Sequence, residues 1–365
     1  MKILHIYKDY FPVLGGIENH IKTLAEAQTA AGHYVTVLVT NPDHQLDYEE
    51  MNDVHIWRVS RLATVASTPL TVTLPLKLRQ LQPDITHLHF PYPLGELSQW
   101  FWRRGRPYVI TYHSDIVKQQ SILRFYRPLM RRILQGAARI LPTSQNYVQS
   151  SEILRPFASK CTIIPLSVQT SHFENMPPLI PPSPLPTLLF VGRHRYYKGV
   201  DDLIRAMPHI QARLLIGGDG PMRAQWEQMA QALSLNDRVQ FLGQLDDADL
   251  PGLYTSADIF VLPANARAEA FGKVLLEAMA AGLPCITTEV GTGTSFVVQH
   301  NISGLVVPPQ RPDRLADAIQ LLLAEPDLRQ RMGQAGQARV RREFTPEQML
   351  ERVTAVYEAV LNPQS

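Results

Sequence analysis

The run Pro177-Pro-Leu-Ile-Pro-Pro-Ser-Pro-Leu-Pro186 constrains this chain more than any other stretch. Proline lacks a backbone N–H and fixes φ, so neither a helix nor a sheet passes through such a cluster, and it reads as a semi-rigid linker. On either side, short β-branched runs alternate with amphipathic helical patterns. Before it, strand-like runs fall at residues 3–7, 34–40, 54–59, 84–89, 108–112, 139–142 and 162–165, with a helical pattern over 17–31 closed by Gly32. After it, the alternation restarts at 188–192, 213–217, 239–243, 258–262, 285–288 and 304–307, and ends in helical stretches over 312–324, 328–342 and 346–361. Such alternation specifies a parallel sheet with helices on both faces. A chain of 365 residues also exceeds the ~250–300 that one core organises. The expected fold is α/β, two doubly wound Rossmann-like domains facing each other across a cleft. Its parts are an N-terminal domain over 1–176, a linker over 177–186, a second domain over 187–345 and a last segment, 346–365, packing back on the first domain.

Composition excludes several classes. Charged residues make up 19% and the formal charge is +2, so no nucleic-acid partner is expected. Cys161 and Cys285 both sit in apolar, strand-like contexts, which gives no disulfide framework and fits a reducing cytoplasm. The apolar run at the N-terminus is too short for a signal peptide, and no stretch of about 18 apolar residues is present to span a membrane.

In doubly wound sheets ligands bind beyond the carboxyl ends of the strands, and the motifs of this chain fall there. In Glu269-Ala-Phe-Gly-Lys-Val-Leu-Leu-Glu277 a helix starting near Gly272 places Glu277 about a turn and a half inside and leaves Glu269 on the loop before it. Backbone N–H groups at that N-terminus, around Phe271, Gly272, Lys273 and Val274, favour an anion. Glu269 then accepts hydrogen bonds from hydroxyls of the same ligand, as a sugar nucleotide requires. Arg193 and Lys198 flank a strand-to-helix loop and form the strongest cationic pair; a guanidinium grips phosphate oxygens with two donors while an ammonium supplies a compact charge. Gly15 and Gly16 after the first strand allow close backbone approach to a phosphate or sugar. Gly218 lies in the strand-to-helix turn Gly217-Gly-Asp-Gly-Pro221, and His113 ends the strand Val-Ile-Thr-Tyr-His.

Taken in order, Gly15-Gly-Ile-Glu18, Thr111-Tyr-His-Ser-Asp115, Val191-Gly-Arg193 with Lys198-Gly199, the turn at 217–221 and Glu269-x7-Glu277 resemble the motifs of family-4 retaining glycosyltransferases of the GT-B fold over nearly the whole length. The resemblance implies transfer of a hexose from a nucleoside-diphosphate sugar to a glycan or lipid-linked acceptor, with anomeric retention and without a metal cofactor. It implies that Arg193 and Lys198 hold the diphosphate, Glu269 the sugar hydroxyls and Glu277 the ribose, and that Gly16 and His113 contact the donor from the first domain. Relatives of this kind include bacterial mannosyltransferases, so GDP-mannose is the expected donor and cell-surface glycan synthesis the expected setting. UDP-glucose and UDP-N-acetylglucosamine are the alternatives.

Other features carry competing readings. Glu18 reads as an early-helix residue favouring the dipole, and Asp115 as an orienting or capping group. Asp247-Ala-Asp249 has the form of a metal motif but sits at a helix start, where aspartates cap and complement the dipole. His87 and His89 share one strand face without an evident third ligand, so zinc is not expected there. The segment 118–134 carries Lys118, Arg124, Arg127, Arg131 and Arg132 among apolar residues, with Pro128 expected to kink or divide the helix. It serves equally as a surface for an anionic membrane at the inner face or as a solvated basic side of a covering helix. A dehydrogenase is disfavoured because neither 218–223 nor 291–296 completes Gly-x-Gly-x-x-Gly. An epimerase of the same architecture is not expected to combine Glu269 and Glu277 with Arg193 and Lys198. A noncatalytic glycosyltransferase-like assembly subunit remains the non-enzyme alternative.

Overall fold

The computed structural model describes residues 1–13, 15–43, 45–65, 68–102, 105–116 and 120–363, with the side chains of 65 and 120–125 left aside. The chain divides into two compact units, Met1–Leu166 with Pro346–Ser365, and Ser167–Thr345.

The first unit is built on β1 (Lys2–Ile6), β2 (Tyr34–Asn41), β3 (Asp47–Met51), β4 (Val54–Ser60), a small hairpin of β5 (Ala63–Val65) and β6 (Thr68–Leu70), then β7 (Ile85–Phe90), β8 (Tyr108–Tyr112) and β9 (Arg139–Pro142). The main sheet runs β3-β4-β2-β1-β7-β8-β9, all parallel except for β3, which pairs antiparallel with β4. β3 escaped the sequence reading because Asp-Tyr-Glu-Glu-Met is a charged edge strand, held in part by an ion pair from Glu49 to Arg58 across to β4. The run at 162–165 is not a strand. The amides of Thr162 and Ile164 do donate to Ile140 and Pro142, but Pro142 has no N–H to return, and the ladder stops at an isolated bridge between Ile140 and Cys161.

The helix Pro346–Leu361 belongs to this unit and packs on the helix Gly16–Ala30, burying Met349, Val353, Val356 and Tyr357. The helix Gln120–Gly136 runs through Pro128 without dividing. Met130, Ile133 and Leu134 are buried beyond the proline, and that packing sustains the helix where local propensity does not. Arg127, Arg131 and Arg132 are exposed; Lys118 lies outside the described residues, as does the side chain of Arg124. Among the described residues no helix is long and apolar enough to cross a membrane.

The second unit carries an all-parallel sheet of β10 (Thr187–Val191), β11 (Arg213–Gly217), β12 (Val239–Gly243), β13 (Ile259–Leu262), β14 (Cys285–Thr288) and β15 (Gly304–Val307), in the order β12-β11-β10-β13-β14-β15. Its central strands, Thr-Leu-Leu-Phe-Val and Ile-Phe-Val-Leu, are buried at every position, as strands covered on both faces must be. The chain winds outwards from β10 through β11 and β12, then returns to place β13 on the other side. The order therefore reverses between β10 and β13, and in the first unit between β1 and β7. The proline run is no free spacer. The Leu179 amide donates to the Gly252 carbonyl, the Ile180 amide to Ser256 Oγ, and Arg213 to the Pro181 carbonyl, so the segment lies along the second unit.

Candidate active site

The loops leaving β10 and β13 meet at the reversal of strand order in the second unit. After β10 the chain passes Gly192 and Arg193 into a tight turn, Tyr196–Lys198, and then Gly199 in the left-handed region at φ +67°. A Cβ at Gly199 would fall onto the Pro263 carbonyl oxygen, so only glycine lets the two loops close up, and the Asn265 amide donates to Tyr197 O at 3.0 Å across the seam. The outcome is an ion pair, Lys198 Nζ to Glu269 Oε2 at 2.6 Å, with both residues buried. Burial alone would depress the lysine, but the Glu269 carboxylate outweighs it and holds the Lys198 pKa above its ordinary value. Glu277 adds to the same negative field.

Around this pair the expected residues divide into those with open chemistry and those occupied by packing. Arg193 is exposed and has no ion-pair partner among the described residues. Gly272 sits at φ +80° as the N-cap of the helix Lys273–Ala280, with no side chain capping that end, so the amides of its first turn, from Lys273 and Val274, have no capping partner. Glu277 accepts from Tyr254 Oη at 2.8 Å, and its other oxygen lies 3.8 Å from Lys273 Nζ. Phe271, by contrast, is buried against Gly293 and contributes core rather than an exposed contact. Gly218 is required for loop packing, since a Cβ there would collide with the Gly192 carbonyl; next to it, the His194 amide donates to the Asp219 carbonyl at 2.8 Å. His194, buried with its ring 4.9 Å from that of Trp226, was not singled out from the sequence. Asp247 and Asp249 are exposed, and Asp249 occupies the N-cap position of the helix Leu250–Thr255 without making a side-chain cap bond.

In the first unit Gly15 precedes the helix Gly16–Ala30 in extended conformation, and a Cβ there would strike the Glu18 carboxylate, which folds back over it. At Gly16 a Cβ would meet nothing within 4 Å, so that backbone lies open. Asp115 accepts from Tyr112 Oη at 2.7 Å and Ser151 Oγ at 2.9 Å while its amide donates to Tyr147 Oη, an orienting role.

His113 is buried and joins a cluster that the sequence reading saw only in part. His5 on β1 lies in register with His87 on β7, and its Nδ1 is 3.0 Å from His89 Nε2; His89 Nδ1 is 3.1 Å from His113 Nε2. His20 packs edge-on to His113 at 5.2 Å between centroids. The expectation that His87 and His89 lack a third potential ligand is therefore wrong. The trios His5, His87, His89 and His20, His89, His113 each bring ligating nitrogens within 4.8 Å of one another. The missed signal was a histidine inside the apolar run Ile3-Leu-His-Ile6. Burial drives these imidazoles neutral: His5 is lowered to about 4, while His87, His89 and His113 fall well below the ordinary value, with the neighbouring histidines adding to the shift.

Each unit is a doubly wound α/β sheet of the kind found in GT-B proteins, and the second carries a buried lysine–carboxylate pair beside an uncapped helix start. Residues 14–172 match the Glycosyltransferase Family 4 model and residues 172–339 the model for Glycosyl transferases group 1. The chain is 35% identical over 358 residues to D-rhamnosyltransferase WbpZ of Pseudomonas aeruginosa, covering 94% of this chain and 92% of that one. It is 32% identical over 372 residues to O-antigen chain mannosyltransferase C of Escherichia coli, covering all of both chains. Among solved structures, sucrose-phosphate synthase from Thermosynechococcus elongatus superposes with a TM-score of 0.83 at 27% identity over the full length of each. The chain belongs to the family-4, group 1 glycosyltransferases, and it is a nucleotide-sugar-dependent hexosyltransferase.

Proposed function

We propose that this enzyme transfers mannose from GDP-mannose, with retention of anomeric configuration, to a glycan or lipid-linked acceptor in cell-surface glycan synthesis. The observation that carries the reading is the Lys198–Glu269 pair at the reversal of strand order, 2.6 Å apart. The second domain is read as the nucleotide-sugar side and the first as the acceptor side. A bound diphosphate offers Lys198 a second anionic partner, and Glu269 is then released to accept from sugar hydroxyls. Arg193 and the uncapped amides of Lys273 and Val274 would meet the remaining phosphate oxygens, and Glu277 the ribose. As the bond to the anomeric carbon breaks, charge grows on the β-phosphate, and these groups favour that state over the intact donor. Retention fits a front-face displacement in which the leaving phosphate takes the acceptor proton.

The donor is drawn from the relatives, one named a mannosyltransferase and another a D-rhamnosyltransferase. D-Rhamnose is 6-deoxymannose, so the two readings agree on the manno ring and differ by one hydroxyl. A site that hydrogen-bonds that hydroxyl rejects the deoxy sugar by roughly 10⁴-fold or more. Turnover against GDP-mannose, GDP-D-rhamnose, UDP-glucose and UDP-N-acetylglucosamine, with NMR assignment of the product anomer, tests both points. Activity with UDP-sugars alone overturns the donor, and inversion overturns the mechanism.

A place at the inner face of the membrane is also proposed, supported by the exposed Arg127, Arg131 and Arg132 on the helix Gln120–Gly136.

A further inference from the structure

Five buried groups of the first unit form one continuous hydrogen-bonded run: Tyr357, Gln28, His5, His89 and His113. Gln28 turns its amide nitrogen towards Tyr357 Oη at 3.3 Å and its carbonyl oxygen towards His5 Nε2 at 2.7 Å. A carbonyl only accepts, so His5 carries its proton on Nε2. A neutral imidazole has one N–H and one lone pair, which makes His5 Nδ1 the acceptor in its 3.0 Å contact with His89 Nε2. His89 Nε2 is then the donor, His89 Nδ1 accepts from His113 Nε2 at 3.1 Å, and His113 is left with its lone pair on Nδ1. The branch through Tyr357 is compatible. Having accepted from Gln28, its hydroxyl can donate to His87 Nδ1 at 2.5 Å, and His87 Nε2 then donates to Thr111 Oγ1 at 2.6 Å.

Along Gln28, His5, His89 and His113 only one other arrangement satisfies every link; the Tyr357 oxygen has two lone pairs, so the His87 branch can point either way without disturbing that run. Turning the Gln28 amide over reverses each donor and acceptor in turn and leaves His113 with an N–H on Nδ1. Mixed arrangements place two N–H groups or two lone pairs head to head in a buried site, at the cost of an unmade hydrogen bond.

We propose that Gln28 acts as a positioning residue, setting through His5 and His89 which nitrogen of His113 carries the proton, so that His113 presents an acceptor Nδ1 to a hydroxyl of the transferred sugar. The sugar contact rests on the donor reading above; the proton arrangement does not. Low basicity of all four histidines keeps the run neutral and preserves the one-donor, one-acceptor logic at each ring. The competing use of the cluster is a metal held by His20, His89 and His113, whose nitrogens lie within 4.8 Å of each other. The geometry favours the hydrogen-bonded run, because the single lone pair of a neutral His89 already faces His113.

Long-range ¹H–¹⁵N spectra of the full chain labelled at histidine, with each resonance assigned by single His→Gln substitution, read the tautomers directly. His5, His89 and His113 should all be Nε2–H in the wild type. An Nδ1–H form at His113, or a nitrogen shift at His89 or His113 on adding Zn²⁺ that marks ligation, overturns the proposal. Gln28→Leu should mix the His113 tautomers and raise the donor KM about tenfold with a smaller change in kcat. An unmoved His113 tautomer in Gln28→Leu also overturns it. Altered tautomers with unchanged donor KM would leave the proton arrangement standing and remove the sugar contact.

Discussion

Lys198 and Glu269 meet at 2.6 Å from loops that follow two neighbouring parallel strands, and both are buried. Removing one partner strands the other charge in the interior, so Lys198→Ala should both reduce turnover by roughly 10²–10³-fold and destabilise the second domain by roughly 3–5 kcal/mol. The double variant Lys198→Met, Glu269→Leu should regain most of that stability without regaining activity. Denaturant midpoints and turnover on the three proteins separate the two roles.

Arg193 offers the converse case. Exposed and without an ion-pair partner among the described residues, it contributes little to folding, and Arg193→Ala should change stability by less than about 0.5 kcal/mol. Its turnover should still fall by roughly 10²–10³-fold as one diphosphate donor is lost. Near-wild-type turnover would move the phosphate elsewhere.

The seam between the loops depends on Gly199. Gly199→Ala adds a methyl against the Pro263 carbonyl in a residue already at φ +67°, at a cost of about 1–3 kcal/mol, and it displaces Lys198 next door. A drop in melting temperature with weakened nucleoside-diphosphate binding by calorimetry is expected; unchanged binding would show that the seam does not place Lys198.

The buried histidines predict acid sensitivity. Their pKa values are depressed in the folded chain, so their contribution is complete above about 6.5 and is lost as pH falls towards the folded values, about 4 for His5. In that window the unfolded chain binds protons that the folded one refuses, and each such histidine costs about 1.4 kcal/mol per pH unit. Glu96 works the other way. Burial raises its carboxyl to about 7 against the hydrogen bonds from Tyr126 and the Tyr92 amide, which pull it down, so it opposes the histidines between about 4.5 and 7. As one group against four it should not reverse the trend. Stability measured in urea should fall steadily from pH 6.5 to 4.5, and His5→Asn should make the slope shallower. Lys198 acts at the other extreme: its raised pKa keeps the ion pair through neutral pH, and that contribution is lost only as pH climbs past the ordinary lysine value of 10.5.

The β-branched runs that became β1, β2, β4, β7 and β10 to β15 were readable because a parallel strand is apolar on both faces. β3 was not, because an edge strand is selected for charge rather than burial. Arg193, Lys198, Glu269 and Glu277 stand out as candidates by motif and resemblance, but a motif says nothing of the Lys198–Glu269 contact, which exists only because β13 lies beside β10. The histidine cluster shows the same limit. His87 and His89 alternate visibly along one strand, whereas His5, Gln28 and Tyr357 come from a different strand and two helices, and only the sheet order and the helix Pro346–Leu361 bring them together. Gly15 and Gly218 have a packing requirement that the sequence does not display: their missing side chains make room for Glu18 and the Gly192 carbonyl.

The return of the helix Pro346–Leu361 to the first unit has a consequence for biosynthesis. On the ribosome the first sheet emerges early, but Tyr357, which supplies a hydroxyl to both Gln28 and His87, emerges only after the whole second unit. Until then the helix Gly16–Ala30 lacks its packing partner and the imidazoles lack an end to their hydrogen-bonded run. The second unit can therefore reach its native state while the first still waits, so the order of maturation inverts the order of synthesis.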